Sequence, residues 1–218
     1  MSPPFENLLL WDRADAENGA VHMALDEGML RLAETPALRI YRWRESEVTF
    51  GYPMRWSEVE SFAAGRPATR RCTGGGLVEH GADVTVALSV PATHPFAHIA
   101  PVEAYRTIHE ALRNALDDPE ISLAPCGNPT SACFAAPSPH DLVSGSRKIA
   151  GGALRRSREG LLYQGSVQHH STPADFSDHL AHALGRHVTL WHAPAEVDFL
   201  CEHLIRDRYG RTEWNRRR

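Results

Sequence analysis

Apolar positions in the first third of the chain follow first a helical and then a strand spacing. In residues 20–34 they recur at steps of three and four, which predicts a helix with one buried face, and Asn18 is expected to cap its start. The predicted buried face consists of Val21, Leu25, Gly28, Met29 and Leu32. Residues 38–43 and 84–90 are rich in β-branched and aromatic residues and are predicted to be strands, the second of them central in a sheet.

The middle of the chain predicts a long helix, a loop and two short strands. Pro101 suits the first turn of a helix. The buried stripe of that helix is expected to be Tyr105, Ile108, Leu112 and Ala115. Residues 128–140 have the composition of a loop, and residues 140–145 and 160–168 are strand candidates on either side of a glycine-rich turn.

Two further helices are predicted towards the end of the sequence. The first has Thr172 as its N-cap, Asp175 three positions later and Gly185 as its stop, and the second covers residues 197–208. The pattern as a whole predicts an α+β fold, in which helices flank a central mixed or mostly antiparallel sheet. We expect a single domain over the 218 residues, without a C-terminal accessory domain, and a monomer.

Composition narrows the classes of function. Hydrophobic residues make up 42% of the chain, so a core can form, and the net charge of -4 argues against a general nucleic-acid binder. No apolar run approaches the roughly 20 residues that span a membrane, and the first residues lack the features of a secretory signal. The four cysteines form no C-x-x-C pair and are expected to be free thiols in the cytoplasm.

The histidines near the end do not predict a metal site. His179 and His182 lie three residues apart on a predicted helix, so they could share an ion. No acidic partner or third ligand follows at a suitable spacing, and the sequence therefore predicts no metal centre.

Residues 70–80, RRCTGGGLVEH, are the first candidate site. Three consecutive glycines allow a ligand to approach the backbone closely, and the paired arginines Arg70 and Arg71 can orient a phosphate or carboxylate. A glycine-rich hairpin is the structural alternative, but the two arginines and His80 around it favour a ligand site. Neither a Walker loop nor a dinucleotide fingerprint is present.

Residues 145–152, GSRKIAGG, and an upstream cysteine form the second candidate. A lysine held in a tight glycine-flanked turn can donate a hydrogen bond to a carbonyl oxygen and stabilise negative charge there, although most single lysines are solvated surface groups. The other three cysteines suit the role of small buried side chains, whereas Cys133 lies in a loop of small residues, where burial is less expected and a nucleophilic thiolate is the candidate role.

Taken in order, these segments resemble the lipoate–protein ligase and lipoyl(octanoyl) transferase family, whose fold is related to that of biotin–protein ligases. The resemblance covers residues 18–168 and depends on HMALDE, on LRIYRW followed by FGY, on RRCTGGGLVEHGADVT, and on RKIAGGALRR followed by LLYQGSV. It implies that Lys148 contacts the acyl carbonyl or acyl phosphate, and that Gly151 and Gly152 leave room for the substrate. The pocket-lining residues it implies are Arg71, Gly74, Gly75, Gly76 and His80.

The family contains two chemistries. ACFAAPSPHDLV, residues 132–143, is similar to transferases that carry their nucleophile in this loop, so Cys133 would take octanoyl from acyl carrier protein without a cofactor. The acceptor would be a lysine on a lipoyl domain of a dehydrogenase complex or on the glycine cleavage H protein. Gly76 is the ligase-like form, which keeps open an ATP- and Mg-dependent lipoate–protein ligase whose accessory domain is missing or separate. A lipoyl-binding protein without catalytic activity is the third alternative.

Overall fold

The computed structural model describes residues 2–11, 13, 15–125 and 138–217, and two sheets form the framework of this part of the chain. Eight of its strands make the larger sheet, in the order β11-β1-β2-β6-β10-β9-β8-β7. They are β1 (Phe5–Trp11), β2 (Ala37–Tyr41), β6 (Val84–Pro91), β7 (Ile121–Leu123), β8 (Leu142–Ser144), β9 (Arg147–Arg156), β10 (Gly160–Val167) and β11 (Gly185–Trp191). The smaller sheet has the order β4-β3-β5 and consists of β3 (Glu47–Phe50), β4 (Ala68–Arg70) and β5 (Leu77–His80).

The larger sheet is mixed, because β1 pairs in parallel with both β2 and β11 whereas the other pairs are antiparallel. The helices are α1 (Gly19–Leu32), α2 (Trp56–Ala63), α3 (Pro101–Leu116), α4 (Phe176–Leu184), α5 (Ala195–Leu204) and α6 (Thr212–Asn215). The α+β architecture with a mixed sheet is therefore confirmed. None of the helices in the described ranges has both the length and the apolar character that crossing a bilayer requires.

Apolar packing covers both faces of the larger sheet, which explains the continuous apolar run at residues 84–90. On the central strand β6, Val86 and Leu88 face the core that contains α3 and α4, and Ala87 faces the core that contains α1 and α5. A strand between two helical layers needs apolar residues on both sides. The predicted central position of this strand is confirmed.

Helix α1 begins as predicted but is buried more widely than one stripe. The Asn18 side chain accepts a hydrogen bond from the Val21 amide and so caps the helix. Because α1 packs between the sheet and α5, His22, Asp26 and Glu27 are also buried, whereas Leu32 at its end is exposed. The single-face prediction was therefore too narrow.

Two local predictions were wrong. Helix α4 takes Asp175 as its N-cap residue rather than Thr172, although it ends at Gly185 as predicted. The glycine-rich turn is confined to the β8–β9 connection, where Gly145 has a φ of 58°, and Lys148, Gly151 and Gly152 lie in β9 itself.

The glycines of β9 and β10 make room for an aromatic ring. Gly152 pairs with Gly165 across the two strands, and a Cβ on Gly152 would lie 2.3 Å from the buried ring of Tyr163. Here glycine is needed for close packing in a strand rather than for chain reversal.

Candidate functional site

A pocket on the α1 face of the larger sheet brings most of the predicted site residues together. Its floor crosses β9, β10, β6 and β2, and its walls come from β3, β5 and α1. The predicted residues that line it are Arg71, His80, Lys148, Gly151 and Gly152. Lining residues that the sequence did not indicate include Met23, Tyr41, Trp43, Thr49 and Gln164. Four adjacent strands span about 14 Å, so the floor is elongated.

Lys148 enters this pocket from β9 as a buried side chain, 7% exposed. Its Nζ lies 2.7 Å from Oδ2 of Asp141. The pairing between β8 and β9 shifts by one residue, since Val143 is opposite Lys148 but Leu142 is opposite Ala150. This irregularity lets Lys148 and Gly151, three positions apart, line the same pocket, although regular alternation would place them on opposite faces.

The chain contains one lysine and 22 arginines, and that lysine is Lys148. Lysine is normally a solvated surface residue, so a sequence that places its only lysine in a buried pocket is unusual. The presence of a single lysine is therefore a second sequence signal for Lys148, in addition to the motif in which it lies.

The glycine run lies between β4 and β5 and supports the pocket through Arg71. Arg71 donates hydrogen bonds from Nη2 to the carbonyl oxygens of Gly74 and Gly76, at 2.9 and 3.0 Å. Gly75 has a φ of 81°, and a Cβ on Gly51 would lie 1.9 Å from its carbonyl oxygen. Two bare backbones therefore meet here, and only glycine fits at both positions.

A chain of hydrogen bonds connects Arg71 to His80 along the pocket wall. Arg71 Nη1 donates to Thr49 Oγ1 at 2.8 Å, and Thr49 lies 2.7 Å from His80 Nε2. His80 Nδ1 lies 2.8 Å from Asp83 Oδ2, and the ring of His80 stacks on that of Trp43 at 3.8 Å. Burial lowers the pKa of His80, so the neutral ring donates to Asp83 and accepts from Thr49.

Below the pocket lies a buried polar network that the sequence did not reveal. Asp26 forms an ion pair with Arg39 at 3.0 Å, and both side chains are fully buried. Tyr41 and Gln164 donate to the other carboxylate oxygen of Asp26 at 2.9 and 2.7 Å. Thr73, from the segment before the glycine run, donates to Gln164 at 2.8 Å and so links that segment to the floor.

His22 belongs to the same network and predicts a pH dependence of stability. Burial, and then the charge of Arg39, lower the pKa of His22 from 6.5 to about 2. The unfolded chain therefore binds one more proton between these values, and the free energy of unfolding must fall as the pH falls through this window. We expect a loss of about 1.4 kcal/mol from this group between about pH 7.5 and about pH 5.5, measured by urea unfolding.

A His22→Gln variant is the control for this prediction, because it removes the titrating group. Burial also lowers the pKa values of His80 and His109, so both histidines act in the same direction. Burial raises the pKa values of Asp26 and Glu47, which acts in the opposite direction. The same pH dependence in the wild type and in His22→Gln would therefore contradict the prediction.

Arg70 has a structural role, contrary to the expectation that the arginine pair orients a ligand. Its guanidinium is fully buried and donates five hydrogen bonds to backbone carbonyl oxygens. The acceptors are Tyr52 and Met54 on one side and Trp214, Asn215 and Arg217 on the other. Arg70 thus fastens the segment after β3 to the segment around α6, and of the pair it is Arg71 that lines the pocket.

Cys133, the predicted nucleophile, lies outside the described residues. Two other cysteines are described, and both Cys72 and Cys201 are buried free thiols. Burial raises the pKa of Cys72 and raises that of Cys201 to about 12, which disfavours a nucleophilic thiolate at either position.

The histidines near the end form no metal cluster in the part of the chain that the structure describes. No group of three or more His, Cys, Asp or Glu side chains is placed there to hold an ion. Instead, His179 pairs with Asp175 at 3.1 Å on an exposed surface.

The sequence matches the model of a known protein family. Residues 18–204 match the model of the lipoyl protein ligase A/B catalytic domain, which therefore covers most of the chain. The chain belongs to this family. The match includes the glycine run, Arg71, His80 and Lys148.

Two relatives within the family have the same name. An octanoyltransferase LipM of Anoxybacillus flavithermus is 32% identical over 183 residues, which cover 74% of this chain and 66% of that protein. An octanoyltransferase LipM of Bacillus subtilis is 32% identical over 179 residues, which cover 72% of this chain and 64% of that protein. The chain thus spans slightly less than two thirds of the length of these relatives.

Solved structures confirm the fold. A putative lipoate protein ligase from T. acidophilum with bound lipoic acid has a TM-score of 0.73 at 20% identity, over 99% of both chains. A lipoate-protein ligase A bound with ATP has a TM-score of 0.69 at 21% identity, over 99% of both chains. At this level of identity the likeness concerns the architecture alone.

Proposed function

We propose that the protein transfers an octanoyl group from acyl carrier protein to a specific lysine of a lipoyl domain, in protein lipoylation. The observation that carries the proposal is the elongated pocket with the buried Lys148 ammonium at one end. The names of the relatives, octanoyltransferase LipM, support the same activity.

The lining of the pocket suits a medium-length acyl chain. Its floor crosses four strands, a distance of about 14 Å, and an acyl chain that extends along this direction must widen the present cavity of about 40 Å³. Met23, Tyr41, Trp43 and Val78 supply apolar surface away from β9. An acyl chain that lies along the floor would place its carbonyl group near Lys148 and its tail against these residues.

The proposed reaction has two balanced steps. The Cys133 thiolate attacks the carbonyl carbon of the octanoyl thioester on the carrier, a Cys133 thioester forms, and the carrier leaves as a thiolate that takes up a proton. The neutral amine of the acceptor lysine then attacks this thioester, an amide forms, and the Cys133 thiolate leaves while the amine loses a proton. Each step builds negative charge on the carbonyl oxygen, which a hydrogen bond from Lys148 Nζ would stabilise.

The proposal needs no cofactor, because one thioester is exchanged for another before the amide forms. The acceptors we propose are the lipoyl domains of dehydrogenase complexes or the glycine cleavage H protein. The competing function is that of a lipoate–protein ligase, which activates the free acid with ATP and Mg²⁺.

Incubation with octanoyl-carrier protein and apo lipoyl domain, read by intact mass, tests the proposal. We expect one octanoyl group on the lipoyl domain without ATP. Product that forms only from the free acid with MgATP would overturn the transferase and support the ligase.

Alanine substitutions at two neighbouring glycines are expected to have different effects, one on activity and the other on stability. A Cβ on Gly151 would lie 2.6 Å from Lys148 Nζ and 2.8 Å from Asp141 Oδ1. Gly151→Ala must therefore displace the lysine, and we expect kcat to fall about 10- to 100-fold at nearly unchanged stability.

Gly152→Ala is the matched variant, because its Cβ would meet the buried ring of Tyr163 instead. That ring is fully buried and its hydroxyl is hydrogen-bonded to His109, so we expect a loss of about 1–3 kcal/mol in the free energy of unfolding. Urea unfolding and steady-state kinetics on both variants separate the two effects. Full activity of Gly151→Ala would show that the lysine does not need its present position.

A further inference from the structure

His109 is a fully buried histidine on α3 that the proposed chemistry does not use. Its ring lies between two partners. Nδ1 lies 2.6 Å from the carbonyl oxygen of His140, and Nε2 lies 2.9 Å from the hydroxyl oxygen of Tyr163. A buried polar group with both of its ring nitrogens satisfied has a defined orientation.

The two contacts fix the tautomer of His109. A carbonyl oxygen can only accept, so Nδ1 carries the proton and donates to His140. Burial lowers the pKa of His109, and in the neutral ring Nε2 must then accept from the Tyr163 hydroxyl. The Tyr163 hydroxyl therefore donates to His109, and His109 donates to the backbone carbonyl oxygen of His140.

His140 stands next to the residue that holds the lysine. Its φ of 69° is uncommon for a residue with a side chain, so its backbone needs support from its surroundings. The His140 amide donates to the carbonyl oxygen of Ala124. The Ala124 amide in turn donates to the carbonyl oxygen of Asp141. Asp141 then accepts from the Ser138 amide at 2.6 Å and pairs with Lys148 at 2.7 Å, both through Oδ2.

We propose that His109 is a positioning residue, which sets Lys148 through the His140 carbonyl and the Asp141 carboxylate. The donor at Nδ1 holds the strained backbone of His140, and this backbone fixes where the next side chain, that of Asp141, meets the ammonium. The role of the lysine in acyl transfer rests on the proposed function, whereas its position relative to Asp141 does not.

Two substitutions of His109 separate its two hydrogen bonds. His109→Asn places an amide nitrogen close to the position of Nδ1 and can still donate to His140. His109→Gln reaches towards Tyr163 and loses the donor to His140. We expect kcat of octanoyl transfer to fall about 10- to 100-fold in His109→Gln, with a smaller change in KM, and activity to be largely retained in His109→Asn.

A second readout does not depend on transfer. Because Lys148 is the only lysine in the chain, an amine-directed reagent reports on it and on the α-amino group, which serves as the internal reference. We expect faster labelling of Lys148, mapped by peptide mass, in His109→Gln and in Asp141→Asn than in the wild type or His109→Asn. His109→Leu, which also removes the donor to His140, replaces His109→Gln if that variant does not fold, and its labelling is expected to increase in the same direction.

Together, labelling and kcat show whether the positioning role or the proposed function is wrong. Labelling that follows this order while the wild type transfers no octanoyl would support the positioning role and overturn the proposed function. Equal labelling and equal kcat in His109→Gln and His109→Asn, at matched free energies of unfolding, would overturn the positioning role.

Discussion

Lys148→Ala should lower kcat for octanoyl transfer by about 10²–10³-fold while the protein stays folded. The expected loss corresponds to the removal of one donor that stabilises a developing oxyanion. The fold should survive because Asp141 keeps the Ser138 amide as a hydrogen-bond donor. Steady-state kinetics with octanoyl-carrier protein and a lipoyl domain measure the effect.

Lys148→Met is the matched variant, because it fills the aliphatic part of the pocket and removes only the charged donor. An equal loss in both variants would assign the effect to the ammonium group. Transfer at nearly the wild-type rate by Lys148→Ala would remove this lysine from the mechanism.

Arg70→Ala should produce the largest loss of stability among these variants. The guanidinium satisfies five carbonyl oxygens from two separate segments, and removal of a buried multidentate donor leaves those acceptors unpaired. We expect the free energy of unfolding, measured in urea, to fall by about 3–5 kcal/mol. Arg70→Lys should recover only part of this loss, because an ammonium cannot reproduce the planar fork of donors.

Arg158→Ala is the control for Arg70→Ala, because the side chain of Arg158 is 92% exposed and pairs with the adjacent Glu159 at the surface. It should change the free energy of unfolding by less than about 0.5 kcal/mol. Similar small effects of the two alanine variants would show that the Arg70 contacts contribute little to folding.

The features that the sequence predicted well are determined by local chemistry. The Asn18 cap depends on one side chain and an amide three residues away, and the strand at residues 84–90 depends on a continuous apolar run. The glycine run could be recognised because three consecutive residues without side chains indicate a close approach to the backbone. By contrast, the N-cap of α4 was wrong because the helix begins after Asp175, whose side chain makes no capping hydrogen bond, so the usual sequence signal of a cap is absent at its true start.

The features that the sequence did not predict depend on contacts between distant residues. The irregular pairing that turns Lys148 into the pocket arises between two strands, and Gly152 is required by a ring on a third segment of sequence. Nothing in the sequence distinguishes Asp26 and Arg39 from exposed charged residues, and only the structure shows that they are buried together. His109 likewise falls between the stripe positions of α3, and only tertiary structure shows its two partners.

The central claim is that transfer passes through a thioester on Cys133, and one measurement addresses it directly. The purified protein is incubated with octanoyl-carrier protein alone, without ATP or acceptor, and analysed by intact and peptide mass. We predict one octanoyl adduct on Cys133 that hydroxylamine removes and that Cys133→Ala cannot form. No adduct, together with an active Cys133→Ala variant that modifies the lipoyl domain only with ATP and free lipoate, would contradict the claim.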